Sequence, residues 1–120
     1  MIVRERKPDM NKITIAAALL ALTAGWAASA AAADIEAGRK LGDTQCAACH
    51  GKDGKSPIDP SYPKIAGQYQ DYMIKVLGDY QSGARKNPIM GGIAKPLSKA
   101  DIENVAAYFS TLPGPLTHNK

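Results

Sequence analysis

The chain has 120 residues, with 15 Lys and Arg against 11 Asp and Glu, and a formal net charge of +4 at pH 7. A chain of this length forms one small domain, which buries little apolar surface and usually needs a disulfide, a metal or a cofactor to be stable. Its basic residues form no run interleaved with aromatic side chains, so nucleic acid binding is not expected.

Residues 1–33 have the layout of a secretory signal peptide: a positively charged start, an alanine-rich apolar stretch and a run of small residues. Cleavage after Ala33 satisfies the A-x-A rule, and cleavage after Ala30 also fits. An uncleaved membrane anchor is the alternative, since the stretch approaches spanning length, but alanine and threonine make it only weakly hydrophobic. We therefore predict export to the periplasm and a mature domain of residues 34–120, with a net charge of +2.

The mature domain is predicted to open with a helix that leads into a haem-attachment motif. Asp34 is a good N-cap residue, and Glu36 lies in the first turn. The helix runs into Cys46-Ala47-Ala48-Cys49-His50, a C-x-x-C-H motif of the kind that attaches a c-type haem. Each of the two thiols can add to one vinyl group of the porphyrin, while the histidine binds one axial face of the iron.

Three other interpretations of the cysteines are weaker. A structural zinc site needs four ligands, whereas the chain offers only Cys46, Cys49, His50 and the distant His118. A thioredoxin-like redox pair needs a βαβ surround, and the sequence has no strand-rich pattern. A disulfide could form in an oxidising compartment, but the spacing is tight and does not explain the adjacent histidine. We therefore predict one covalently bound haem c, which would also stabilise so small a domain.

Apolar periodicity predicts two further helices. The first ends near Gly83, and its apolar stripe comprises Tyr69, Tyr72, Met73, Val76, Leu77 and Tyr80. The second begins with a capping-box-like start at Ser98, ends before Pro113, and has the apolar positions Ile102, Val105, Phe109 and Leu112. Residues 51–67 and 84–97 are rich in glycine and proline and are predicted to be irregular loops. The predicted fold is all-α, with three main helices and long loops wrapped around one haem.

Met90 is the predicted second axial ligand of the iron. It lies between Pro88 and a pair of glycines, which together restrict the segment and let its backbone approach the ring. A thioether is a soft, neutral ligand that raises the reduction potential relative to two histidines. The competing ligands are Met73, on an apolar stripe where methionine usually fills a core, and His118, in a polar tail after the last helix.

The order of these motifs resembles the bacterial class I c-type cytochromes, most closely a branch whose two-haem members are tandem copies of such a domain. The resemblance covers residues 35–112. It is carried by Ala37-Gly38, Cys46–Gly51, Pro63–Gln68, Gly83–Arg85, Met90 and Leu97–Tyr108. The chain departs from the family at Gly42, where many relatives have a larger aromatic or aliphatic residue.

The resemblance implies several contacts. The first and last helices should cross at Gly38 and Tyr108. The Pro63 carbonyl should accept the Nδ1–H of His50, which fixes the orientation of the ring. Two further residues at recurrent family positions, Gln68 and Arg85, are assigned to structure or to the propionate side of the haem.

The residues and the resemblance together predict one-electron transfer through iron held by His50 and Met90. The sequence has no paired carboxylates near a histidine, no activated nucleophile and no phosphate-binding loop, so an enzyme is not expected. Redox proteins, including membrane complexes, would dock transiently at the exposed haem edge of a monomer. Six lysines could steer acidic partners to that edge or serve only as solubilising charge: Lys52, Lys55, Lys64, Lys86, Lys95 and Lys99.

Two alternatives to a diffusing carrier remain. One is a haem subunit of a periplasmic dehydrogenase complex, for example one that oxidises sulfide or an alcohol. The other is a ligand-binding haem sensor with an open sixth position, which would bind carbon monoxide readily in the ferrous state.

Overall fold

The computed structural model of the chain describes residues 31–117, so almost all of the predicted signal peptide and His118 lie outside the described residues. Within them the fold contains no strand, which confirms the all-α prediction. The α-helices are α1 (Ile35–Leu41), α2 (Ala47–His50), α3 (Gln70–Ser82), α4 (Pro88–Ala94) and α5 (Lys99–Thr111). None of the helices in this part of the chain has the length and apolar character needed to cross a membrane.

The first helical segment carries the cysteine motif, as predicted. Asp34 caps α1, because its side chain accepts the backbone N–H of Ala37 over 2.9 Å. Gly42–Cys46 forms a π-helical turn that joins α1 to α2. The helical path therefore continues to His50, with a wider turn that includes Cys46, the first residue of the motif.

The α3 helix ends where the sequence predicts. Gly83 adopts a left-handed conformation with φ of 79° directly after Ser82, a backbone geometry that glycine adopts without a steric cost. The apolar stripe of α3 is uneven in its burial: Met73 is buried, whereas Tyr69 and Tyr72 remain nearly half exposed. The stripe is thus not wholly packed against other helices.

The prediction that residues 84–97 form an irregular loop is wrong for Pro88–Ala94, which form α4. The side chain of Asn87 caps this helix by accepting the backbone N–H groups of Ile89 and Met90, each over 3.0 Å. Pro88 is compatible with this helix because it stands in the first turn, where an N–H has no helical partner. Met90 therefore lies in a helical turn rather than in a loop.

The α5 helix contributes most of the buried hydrophobic residues of the fold. Ser98 and Asp101 form a complete capping box at its start, as predicted. Its buried face includes Val105 and Phe109, which form the core together with Met73 of α3. Residues in the 51–67 loop are tied to this face, because Gly67 donates its N–H to the Phe109 carbonyl over 2.9 Å.

Gly42 lies where the rings of two α5 residues already fill the space. A Cβ at this position would come within 3.2 Å of ring carbons of both Tyr108 and Phe109. Phe109 is only 2% exposed. The space in which the resemblance implies a larger side chain at position 42 is therefore filled here by aromatic side chains from α5.

Candidate functional site

An apolar cavity of about 250 Å³ lies among α3, α4, α5 and the cysteine motif. Its walls are formed mainly by apolar side chains: Ile65, Met73, Val76, Leu77, Ile93, Leu97, Val105, Ala106 and Phe109. Tyr72 and Tyr80 of the α3 stripe also line this cavity, whereas Tyr69 is not among its lining residues. Such a cavity suits an apolar ligand that is oriented by a few polar groups.

His50 is the buried polar residue of the site, with 6% of its surface exposed, and it lines the cavity. Its Nδ1 donates a hydrogen bond to the Pro63 carbonyl oxygen over 2.8 Å. Because a carbonyl oxygen only accepts, the proton of the neutral imidazole lies on Nδ1 and Nε2 keeps its lone pair. The contact that the resemblance implied is confirmed, and it leaves Nε2 available to a metal.

The two cysteines form no disulfide with each other, and both are partly buried. Cys46 lines the cavity, and burial raises the pKa of its thiol to about 11. Cys49 precedes His50 directly on α2. Within residues 31–117, no three His, Cys, Asp or Glu side chains come together as a metal site, so a structural zinc site finds no support.

Both candidate methionines line the same cavity as His50. Met73 belongs to the core cluster with Val105 and Phe109 and is 9% exposed. Met90 is outside that cluster and is partly buried, in the first turn of α4. Met73 therefore has the packing of a core residue, whereas Met90 is presented to the cavity by a short capped helix.

The cavity also has a cationic rim. Lys64 and Arg85 line it, and no carboxylate does among the described residues. The guanidinium of Arg85 lies 5.4 Å from the centroid of the Tyr80 ring, a cation–π distance. A hydrogen bond with Tyr72, followed by the charge interaction with Tyr80, raises the pKa of Arg85. No ion pair within residues 31–117 involves Arg85.

This set of groups fits haem c. Apolar walls suit a flat macrocycle, and Cys46 on the cavity wall, with Cys49 three residues further along the chain, suits thioether attachment. The imidazole of His50 has Nε2 available for the iron, and two methionines offer a thioether to it. A rim with cations and no acid suits two propionates, whose charge would otherwise remain uncompensated.

Sequence reasoning missed two residues that hold the segment carrying Met90. Asn87 caps α4, and the pair Asn87-Pro88 could have signalled it, since asparagine at the N-cap and proline at the first helical position mark helix starts. Gln81 of α3 donates to the carbonyl oxygens of Ala94 and Leu97, over 2.9 and 2.7 Å. No local pattern signals Gln81, because its partners lie 13 and 16 residues away.

Comparison with known proteins agrees with this geometry. The family model described as cytochrome c matches residues 35–113. Cytochrome c4 of Stutzerimonas stutzeri is 43% identical over 116 residues, covering 88% of this chain and 52% of that protein. A thiosulfate dehydrogenase electron acceptor of Thiomonas intermedia is 39% identical, covering 86% of this chain and 45% of that protein.

A solved structure is also similar. Reduced recombinant cytochrome c4 from Pseudomonas stutzeri matches with a TM-score of 0.63 and 41% identity, over 69% of this chain and 47% of that one. The chain thus spans about half the length of these two curated relatives.

Proposed function

Because this chain belongs to the cytochrome c family and carries one covalently bound haem c, we propose that it is a periplasmic one-electron carrier. Its fold is that of a class I cytochrome c. One observation carries the proposal: the histidine of the attachment motif and a methionine 40 residues further along the chain line a single apolar cavity. In this proposal His50 and Met90 are the axial ligands of the haem iron, and Cys46 and Cys49 form the thioethers.

The bound haem supplies an iron that alternates between the ferric and ferrous states. The residues around it keep the coordination constant, which makes electron exchange fast. His50 is oriented by the Pro63 carbonyl, a contact that also fixes the tautomer of the ring. The thioether of Met90 favours the ferrous state and raises the reduction potential. No side-chain acid or base needs to act, so the proposal includes no catalytic residue.

The cationic rim is proposed to hold the propionates. Arg85 is kept at the cavity by Tyr72 and Tyr80 and has no carboxylate partner within residues 31–117. Lys64 is the other cation on the lining. A propionate paired with Arg85 would accept charge-assisted hydrogen bonds, which are roughly twice as strong as neutral ones.

The surface is proposed to bind redox partners transiently at the haem edge. The six lysines that could steer a partner are all exposed in the structure: Lys52, Lys55, Lys64, Lys86, Lys95 and Lys99. Ile58 is 72% exposed, and its N–H bonds to the Cys49 carbonyl over 3.1 Å, which places an apolar side chain near the attachment site. If lysine charge steers the partner, the association rate will fall steeply as salt is added. An association rate that does not change with salt would mean that the lysines serve only to keep the protein in solution.

A dehydrogenase is the favoured electron donor. The relative from Thiomonas intermedia is named for accepting electrons from thiosulfate dehydrogenase, so the donor proposed for this chain is a sulfur-compound dehydrogenase.

The second candidate function is that of a haem subunit of such a dehydrogenase. A carrier will elute as a monomer and be reduced by such an enzyme at a rate proportional to its concentration. A subunit will co-purify with its enzyme at a fixed ratio.

Visible spectroscopy with redox titration of the exported protein tests the function itself. We expect a six-coordinate, low-spin haem that is reduced and reoxidised by one electron without hysteresis. The ferrous protein should resist carbon monoxide, because the sixth position is taken. Rapid carbon monoxide binding would instead support a sensor and would overturn the carrier proposal.

A further inference from the structure

Gln81, near the C-terminal end of α3, connects this helix to the C-terminal end of the next helix, α4, and to the residues that follow it. Its side-chain amide nitrogen donates to the Ala94 carbonyl oxygen over 2.9 Å and to the Leu97 carbonyl oxygen over 2.7 Å. Gln81 is partly buried, as are both hydrogen bonds. Because both partners only accept, the amide orientation is unambiguous: the NH₂ group, not the oxygen, faces the carbonyls.

These two carbonyls lack the N–H partners that a continuing helix would give them. Each would pair with the N–H four residues further along if the helix continued. The N–H of Ser98 is instead bound to the Asp101 carboxylate, and the N–H of Asp101 is bound to the Ser98 hydroxyl. The start of α5 therefore uses the donors that would have satisfied Ala94 and Leu97. Ala94 still accepts one bond, from the Leu97 N–H over 3.1 Å.

The carbonyl of Ala94 lies at the C-terminal end of α4, the helix that carries Met90. Met90 and Ala94 are four residues apart on this helix, or about 6 Å along its axis. Such a short helix moves as a unit. Among residues 31–117, the side-chain hydrogen bonds at the N-terminal end of α4 come from its own cap, Asn87, which belongs to the same segment. Gln81 thus joins α3 to α4 through a hydrogen bond.

We propose that Gln81 is a positioning residue for the axial methionine, because it holds α4 against α3 and so keeps Met90 on the iron side of the cavity. This inference rests on the proposed function, in which Met90 is the sixth ligand. Gln81 does not line the cavity and acts only through α4. Loss of its two hydrogen bonds increases the population of the state in which Met90 has left the iron.

That population is measurable with an added ligand. Imidazole can bind ferric haem only when the sixth position is open, so its apparent affinity scales with the open fraction. Two partly buried hydrogen bonds correspond to a change of about tenfold in this fraction. The ferric holoprotein with Gln81→Met should therefore bind imidazole about tenfold more tightly than the wild type. In Gln81→Met, the weak red absorption band that accompanies methionine coordination should also be lost at a lower pH than in the wild type.

A matched control separates this effect from general destabilisation. Asp34→Ala removes the N-cap of α1, whose hydrogen bond to the Ala37 N–H lies outside the α3–α4 contact. Both variants should lower the thermal midpoint, but only Gln81→Met should tighten imidazole binding. If Gln81→Met lowers the thermal midpoint and leaves imidazole affinity unchanged, Gln81 is merely structural and the inference is overturned.

A second variant tests the direction of the hydrogen bonds. Gln81→Glu places a carboxylate opposite two carbonyl oxygens, which disfavours its charged form and raises its pKa. Protonation restores one donor, so the red band should weaken from about pH 5 to about pH 8 as the carboxyl group ionises. A band as pH-independent as that of the wild type over this range would contradict the inference.

Failure of the proposed ligand would look different. In that case Met90→Ala would keep the spectrum and the imidazole affinity of the wild type, whatever residue stands at position 81.

Discussion

Gly38 of α1 lies directly against the backbone carbonyl of Asn104 in α5. A Cβ at position 38 would overlap the Asn104 carbonyl oxygen and would come within 3.0 Å of the Tyr108 Cβ. The same two helices are joined where the Asp34 N–H donates to the Asn104 side-chain oxygen over 2.7 Å. The crossing of the first and last helices, as the resemblance implied, therefore depends on a residue without a side chain.

We expect Gly38→Ala to lower the free energy of unfolding by about 1–3 kcal/mol or more, because backbone cannot yield as a flexible side chain can. Gly78→Ala is the matched control, since a Cβ at Gly78 in α3 meets nothing within 4 Å. That control should stabilise the protein by about 0.5–1 kcal/mol through helix propensity. Denaturant unfolding of the holoprotein measures both values. Equal effects in the two variants would disprove the close crossing.

Replacement of Met90 should change the haem, whereas replacement of Met73 should change only packing. We expect Met90→Ala to abolish the red absorption band and to lower the reduction potential on the order of 0.1 V, within the ~0.8 V range that axial ligands span. Met73→Leu conserves volume in the core and should cost less than about 1.5 kcal/mol of stability. Spectroscopy and redox titration distinguish them. An unchanged spectrum in Met90→Ala would refute the ligand assignment.

The cation at the cavity rim should influence the haem more than a cation elsewhere. Arg85→Gln removes a positive charge beside the proposed propionate, so the ferric state becomes easier to form and the reduction potential falls. Lys75→Gln is the control, because Lys75 is paired with Asp79 on exposed surface and does not line the cavity. Reduction potentials measured across a pH range test this pairing, because a propionate without Arg85 should titrate at a higher pH than one that is paired with it. Equal shifts in both variants would argue against the pairing.

The capping box of α5 makes the free energy of unfolding depend on pH. The hydrogen bond from the Ser98 hydroxyl, and after it the bond from the Ser98 backbone N–H, hold the pKa of Asp101 below its usual 3.8. A carboxyl group with a lowered folded pKa stabilises the fold above about pH 4, and that stabilisation is lost as the pH falls through the folded pKa. Asp101→Asn should cost about 0.5–1 kcal/mol near neutral pH, as for an acidic residue in an exposed first turn.

Unfolding measured near neutral pH and in acid provides the check on Asp101. The difference between the wild type and Asp101→Asn should narrow as the solution is acidified. A difference that stays constant down to about pH 2 would exclude this carboxylate as the source.

Export should leave Asp34 as the first residue. Its backbone nitrogen bonds to the Asn104 side chain, and a new ammonium group at that position would still donate there. Intact mass and N-terminal sequencing of the periplasmic protein test this. A terminus at Ala31 would indicate cleavage after Ala30, and a full-length membrane-bound chain would indicate a retained anchor.

The parts of the fold that local chemistry controls were predictable. The C-x-x-C-H motif depends on adjacent residues, so the cofactor could be read from the sequence alone. The end of α3 at Gly83 and the capping box at Ser98 are likewise local, because each is satisfied within a few residues of the chain. Both predictions are confirmed.

The errors arose where a local pattern has two structural outcomes. Proline and two glycines near Met90 suggested a loop, yet Pro88 is the first residue of a helix capped by Asn87. Gly42 gave no sign of its role, because the two aromatic rings that occupy the adjacent space come from α5.

By itself, the sequence determined the covalently bound haem c and predicted Cys46 and Cys49 as its attachment residues and His50 as its histidine, because neighbours in the chain suffice for these. Only the tertiary structure decided that His50 and Met90 line one cavity and that Gln81 holds the α4 helix. The physical reason is that these contacts join segments 13 to 40 residues apart, and packing alone brings such segments together.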